Sequence, residues 1–371
     1  MSAPLSLPST SSDEMGEPQA ICSDEMGEPQ VIQIASNSDI CLEVCKMPEK
    51  TKFHLQVSSQ TLCEASNRFN REFNSSWKES IERAEANSAS GKTCVIQLFD
   101  DDVDALILLF HVLHHKIQAI PVKPTHSQLL ELAVVAEKYF CVQPLFPWTV
   151  VWLQEYSEDL ESAALRFEWI CELLYFSYIV DVPDVFDKIS KAILLKYPAY
   201  DFHEFPEHFL VRGNLLAEFK AKNAEMFLQI HEFVEKAIQE IQNGRCAGRA
   251  HFIVRIREAL NRSLVWPLTI YSREFSISDI CTQISEICIC GTPLDSSLVR
   301  NCSCWNLGDP NPLHGERYCQ IPQDVNGKLK RWLELNLREL FEDMDGVCLD
   351  CVKTSGESRM KRKCRLPHWE V

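Results

Sequence analysis

Nine of the 17 cysteines in this chain fall between Cys281 and Cys364, while the other eight are scattered over the first 280 residues. That distribution separates two kinds of sequence, with a boundary near residue 246. Before it, Cys41, Cys63, Cys94 and Cys141 sit within regularly spaced apolar runs and read as small core hydrophobes. After it, cysteines are paired at short spacing among turn-forming residues, where apolar material for a core is sparse. A segment of that kind gains most from a cross-link.

The nature of the cross-link depends on the compartment. The start of the chain, MSAPLSLPSTSSDEMGEPQ, has neither the basic nor the apolar region of a signal peptide. The longest apolar stretches, about Ala105–Leu113 and Leu145–Leu153, are too short to span a bilayer. A chain of the cytoplasm or nucleus is therefore expected, neither secreted nor membrane-bound, in which clustered cysteines are metal ligands or buried thiols more than disulfides. The candidate ligands are Cys288 and Cys290, Cys302 and Cys304, Cys319, and the pair Cys348 and Cys351, with Cys281, His314, Cys364 and His368 close by in sequence. Thiolates one or two residues apart let one loop present two ligands to a tetrahedral zinc. One or two structural zinc ions are thus the expected cofactor, with buried thiols as the competing account. Nothing in the sequence marks an open zinc position beside a general base, so a catalytic metal is not expected.

The charge balance, 37 Lys and Arg against 53 Asp and Glu, argues against a whole-protein role in coating nucleic acid or an anionic membrane. The local exception is Arg359-Met-Lys-Arg-Lys-Cys-Arg365, which reads as a nuclear address, a nucleic-acid patch or a solvated tail. No groove-reading helix accompanies it, so nucleic acid is not an expected partner. Other motifs fail on geometry. Ser90-Gly91-Lys92-Thr93 leads into a predicted strand, whereas a phosphate loop needs a helix N-terminus. His203 and His208 are five apart with Pro206 between them, so they cannot share one helix face as a zinc-protease pair would. The run Asp100–Asp102 is accounted for by helix capping, and His114-His115 by the negative end of a helix. An enzyme is not expected.

Residues 1–30 are acidic, contain no Lys or Arg, and carry SDEMGEPQ twice; a disordered tail is expected. From Val31 the pattern becomes regular. Val31–Ile34, Ile40–Val44 and Lys52–Val57 read as strands, Ser58 or Ser59 caps a helix carrying Leu62, Ala65 and Phe69, and Cys94–Leu98 is a further strand. Helices follow on Val103, Leu106, Ile107, Phe110 and Leu113, on Leu129–Phe140 and on Phe146–Leu153. Beyond them Leu160–Tyr178 and Pro183–Tyr197 read as apolar helices. Phe227, Ile230, Val234, Ala237 and Ile241 mark a long amphipathic one. From residue 246 onward only Gly327–Met344 reads as helical. The fold class expected is α+β, with short strands and a helical cluster first, a mostly helical middle, and an irregular cysteine-rich end.

Four segments in this order, Asp39-Ile-Cys-Leu-Glu-Val, Phe53-His-Leu-Gln-Val-Ser-Ser, Val95-Ile-Gln-Leu-Phe-Asp-Asp-Asp and Leu129-Leu-Glu-Leu-Ala-Val-Val-Ala-Glu-Lys-Tyr, resemble the BTB/POZ domain. The variety looks like that of filamentous-fungal proteins, with Pro147-Trp148 after the last segment. The resemblance covers residues 31–155, leaving 1–30 as the tail, 156–245 as a helical extension and 246–371 as a cysteine-rich, zinc-stabilised module with a basic tail. It implies a protein-interaction scaffold that homodimerises through its first helix and N-terminal strands, and in many relatives a substrate adaptor for a cullin ubiquitin ligase. The dimer face would map onto Leu62, Ala65, Phe69 and Phe73, which a monomer would instead bury against its own strands. The hydrophobic-x-Glu motif of many cullin adaptors is not apparent in Lys116-Ile-Gln-Ala-Ile-Pro121, which leaves the cullin role open. A nuclear transcription or chromatin regulator acting through the basic, cysteine-rich end is the alternative.

Overall fold

The alternating apolar residues after Gln30 form β1 (Gln30–Gln33), β2 (Ile40–Lys46) and β3 (Thr51–Val57), joined after two helices by β4 (Cys94–Leu98). The computed structural model describes residues 28–74, 94–156, 159–160, 165–205, 214–243, 249–263, 266, 268, 274–287, 325–354 and 364–366. The strands make one sheet in the order β1-β3-β2-β4, with β2 and β3 antiparallel and both edge strands parallel to their neighbours. Leu42 stands opposite Leu55 on one side and Ile96 on the other, so the period-two alternation puts these three, with Ile40, Val44, Val57 and Leu98, on one buried face. On the opposite face Glu43 accepts from Gln97 at 2.9 Å and pairs with His54 at 3.0 Å.

Local chemistry sets the first helices. Ser58 caps α1 (Ser59–Ala65), and Ser66 breaks the helix and offers its hydroxyl to the N–H groups of Arg68 and Phe69 at the start of α2 (Asn67–Asn74). Asp102 caps α3 (Val103–Leu113), accepting from the Ala105 N–H at 2.8 Å. Phe69 stacks on Phe73 and on Tyr139, with ring centroids 5.6 and 4.7 Å away.

The chain divides into two compact units, Met1–Ile120 with Lys138–Pro144, and Pro121–Glu137 with Leu145–Val371. Residues 121–137 and 145–155 of the expected 31–155 domain therefore group with the helices that follow. Lys138 and Tyr139 are tied to the first unit by Asp101, whose side chain is 1% exposed and accepts from the Lys138 ammonium at 2.7 Å and the Tyr139 hydroxyl at 2.6 Å. Capping thus explains Asp102 but not Asp101, which is a buried anchor for a segment nearly forty residues away.

The second unit is helical among its described residues. α4 (His126–Lys138, all but its last residue) and α5 (Phe146–Gln154) precede α6 (Phe167–Ile179) and α7 (Pro183–Lys196). α6 is buried on nearly every side, and Asp181 turns the chain into α7 with φ 60°. α8 (Leu215–Asn243) buries Phe219, Met226, Ile230, Val234 and Ala237. Phe227 is only half-buried, because the stripe turns through Met226 instead, and the side chain of Ile241 lies outside the described residues. Then come α9 (Arg249–Arg262), α10 (Ile277–Ser285), α11 (Val325–Asp343) and the short α12 (Leu349–Lys353). α9 and α10 correct the expectation of an irregular end. α10 opens on a reciprocal capping box between Ser276 and Asp279 and buries Ile277, Ile280, Cys281 and Ile284. The fold is α+β.

Candidate metal centre

After α11 the chain crosses α7 through Asp345, Gly346 and Val347. A Cβ at Gly346 would stand 2.1 Å from the Asp187 carbonyl oxygen and 2.5 Å from Ser190 Oγ, so only glycine allows this approach. The Gly346 N–H donates to Asp187 Oδ1 at 2.8 Å and the Val347 N–H to Ser190 Oγ at 2.7 Å. Met344, Val347, Leu349 and Val352 are buried around this crossing. Their packing seats Cys348 as the N-cap of α12 and turns Cys351, three residues on, to the same side.

Cys364 brings a third sulfur, 3.7 Å from that of Cys351, and the three sulfurs lie within 4.8 Å of one another. Cys351 is buried and its two neighbours are half-buried. Burial pushes the Cys348 thiol up, while the main-chain N–H of Cys351 works against this by donating toward the Cys348 sulfur. Burial likewise raises Cys364. A cation would displace the protons these thiols hold, and three sulfurs this close can bind a metal ion.

A charge cluster borders the sulfurs. Arg365 donates its main-chain N–H to Asp350 Oδ2 at 2.7 Å, and its guanidinium reaches Asp350 at 2.7 Å and Asp181 at 2.7 and 2.9 Å. Lys353 Nζ reaches Asp181 at 2.6 Å. The Arg365 hydrogen bonds hold the Asp181 carboxyl below the usual carboxylate range.

Of the expected ligands, Cys348 and Cys351 come together here, and Cys364, which the sequence places only nearby, joins them. Cys288, Cys290, Cys302, Cys304 and Cys319 lie outside the described residues, as do His314 and His368. Cys281 is a core thiol on α10, 4% exposed and pushed up to about 12 by burial. Of the residues expected at a dimer face, Leu62, Phe69 and Phe73 are packed inside the chain's own core and Ala65 is half-buried.

Other candidates resolve into structure. A cavity of about 520 Å³ in the first unit is lined by Glu43, Lys46, Asp100, Asp101 and Asp102, among others. Asp101 and Asp102 are engaged as described, and Lys46 pairs with Asp104 at 2.8 Å. His114 does not serve as a helix-end cation. Its Nε2 accepts the Ser58 N–H at 3.1 Å and its Nδ1 donates to the Phe110 carbonyl at 2.8 Å, an arrangement for neutral imidazole. His203 is on the surface, while Ser90–Thr93 and His208 lie outside the described residues. No helix among the described residues is long and apolar enough to cross a membrane. No protein-family model matches this chain, and no curated protein matches it.

Proposed function

We propose that this protein is a non-enzymatic interaction scaffold or adaptor, built on a BTB/POZ-type N-terminal unit that homodimerises, with a zinc ion stabilising its C-terminal end. The observation that supports the interaction role is the order of elements: a strand hairpin, two short helices, a strand returning parallel to the first hairpin strand, and then helices. That is the order on which the resemblance rests. Because Leu62, Phe69 and Phe73 are used inside the chain, dimerisation through this unit would draw on the remaining surface of α1 and the edge strand β1. A cullin ubiquitin ligase is the partner class the resemblance implies. Sedimentation of the intact protein at micromolar concentration, followed by titration with a purified cullin, tests both parts. A monomer throughout removes the dimer, and no binding to the cullin removes the adaptor role.

The metal we assign is zinc. Tetrahedral zinc at about 2.3 Å from each thiolate sets the sulfurs about 3.8 Å apart, close to the Cys351–Cys364 separation of 3.7 Å. Soft thiolates and a sharp Cys-x2-Cys turn with an N–H aimed at sulfur suit zinc over calcium or magnesium, which take oxygen ligands. The candidate for a fourth ligand comes from the sequence alone, where His368 follows in the run Cys348-x2-Cys351-x12-Cys364-x3-His368. Metal analysis of the purified chain, with His368→Ala and Cys364→Ser beside it, tests the assignment. A wild-type chain free of zinc after purification without chelators would remove it.

A further inference from the structure

We propose that Arg365 is the positioning residue of this metal centre, holding the Cys364 sulfur beside Cys348 and Cys351 before any metal arrives. The inference rests on the zinc reading above and extends it to how the site is prepared. Cys364 reaches the site from thirteen residues beyond Cys351, so the pair of sulfurs at α12 must wait for a third from a separate segment. Arg365 follows Cys364 directly, and Asp350 lies between Cys348 and Cys351. Their main-chain and side-chain bonds at 2.7 Å therefore join the two ligand-bearing segments next to the sulfurs themselves. The same guanidinium reaches Asp181 in the α6–α7 turn at 2.7 and 2.9 Å, and Lys353 reaches that carboxylate from α12. Both segments are thus referred to one rigid point of the helical scaffold. A divalent ion held by three thiolates also carries excess negative charge, which a guanidinium one residue away offsets. A flexible ammonium would lack the planar fork that grips two carboxylates at once.

The test uses the full chain with Arg365→Met, Arg365→Lys and Asp181→Asn, the last removing the carboxylate that Arg365 and Lys353 share while leaving the Arg365–Asp350 link and every residue of the ligand segments unchanged. Two quantities are read: zinc affinity by competition with a chelating dye, and, in metal-free protein, the rate at which diamide joins Cys351 to Cys364. Diamide takes up the two electrons and two protons that the thiols lose. Arg365→Met is expected to weaken zinc by about 10- to 100-fold, the range for groups that orient metal ligands, and to slow the cross-link, with helical content unchanged. Arg365→Lys should recover part of both, and Asp181→Asn should lose less. Unchanged zinc affinity and an unchanged cross-linking rate in Arg365→Met overturn the proposal while leaving zinc in place. A wild-type chain that takes no zinc, but whose cross-linking Arg365→Met still slows, overturns the zinc reading and leaves the positioning role standing.

Discussion

Gly346→Ala is the most demanding test of how the metal centre is built. The new methyl would meet the Asp187 carbonyl oxygen at 2.1 Å and Ser190 Oγ at 2.5 Å, well over an ångström inside an ordinary contact in the first case. Ser190 can rotate its hydroxyl away, but a helical carbonyl on α7 cannot move, so the Gly346 main chain must lift off. Lifting it breaks the bond from its N–H to Asp187 and draws the Val347 N–H away from Ser190. Overpacking in such a crossing costs about 1–3 kcal/mol. The bond to a carboxylate contributes about 1.5–3 kcal/mol and the bond to a hydroxyl about 0.5–1.5 kcal/mol. The expected loss is about 3–6 kcal/mol of stability in the second unit, since these effects do not add fully. Urea unfolding of the whole chain, with hydrogen exchange at the amides of α7 and α12 to assign the transition, measures it. Running both with and without chelator separates the packing loss from lost metal binding. Ser190→Ala, which removes one acceptor and adds no atoms, should cost about 1 kcal/mol. A Gly346→Ala chain within about 0.5 kcal/mol of wild type, the effect of an ordinary surface change, would refute the docking of this crossing on α7.

Three further outcomes are expected. Asp101→Ala should destabilise the first unit by about 2–4 kcal/mol, because it strands the buried Tyr139 hydroxyl and removes the partner of a Lys138 that is still partly hydrated; denaturation that leaves the midpoint unmoved counts against an anchoring role. Burial holds the His114 imidazole below its ordinary value of 6.5, so as the pH falls through that value the unfolded chain takes up the proton first. Stability that is fully present above it then declines toward acid, by at most about 1.4 kcal/mol per pH unit for one proton. His114→Gln should flatten that slope, and an unchanged slope would show that His114 does not carry it. Cys351→Ser should abolish zinc uptake by the purified chain and lower the unfolding midpoint of the second unit, whereas Cys281→Ser should leave zinc content untouched.

What was legible in the sequence was what neighbouring residues decide. Ser58 and Asp102 are capping side chains next to the amides they satisfy, and the strands show their period directly. α10 carried an equally local signal, Ser276 three residues before Asp279 ahead of Ile280 and Ile284, but the cysteine-rich composition around it masked the pattern. The role of Asp101 was not legible, because its partners Lys138 and Tyr139 are 37 and 38 residues away. Nor was the stripe of α8, where Met226 and Phe227 are equally apolar and only the packing chooses between them.

By itself, the sequence determined that strands precede helices, that Cys41, Cys94 and Cys141 belong to a core, though Cys63 beside them is only half-buried, and that a Cys-x2-Cys pair stands near the end of the chain. These follow from spacing over a few residues, where side-chain direction is set by the local backbone. Only the tertiary structure decided that Cys364 completes a cluster with Cys348 and Cys351, while Cys281, in the same cysteine-rich stretch, is an inert core thiol. That choice depends on Gly346 docking against α7 and on Arg365 meeting Asp181 and Asp350, contacts between segments 15 to more than 150 residues apart. Spacing along the chain carries no record of which distant groups will meet, so it was packing that separated the four described cysteines of that stretch, Cys281 from Cys348, Cys351 and Cys364.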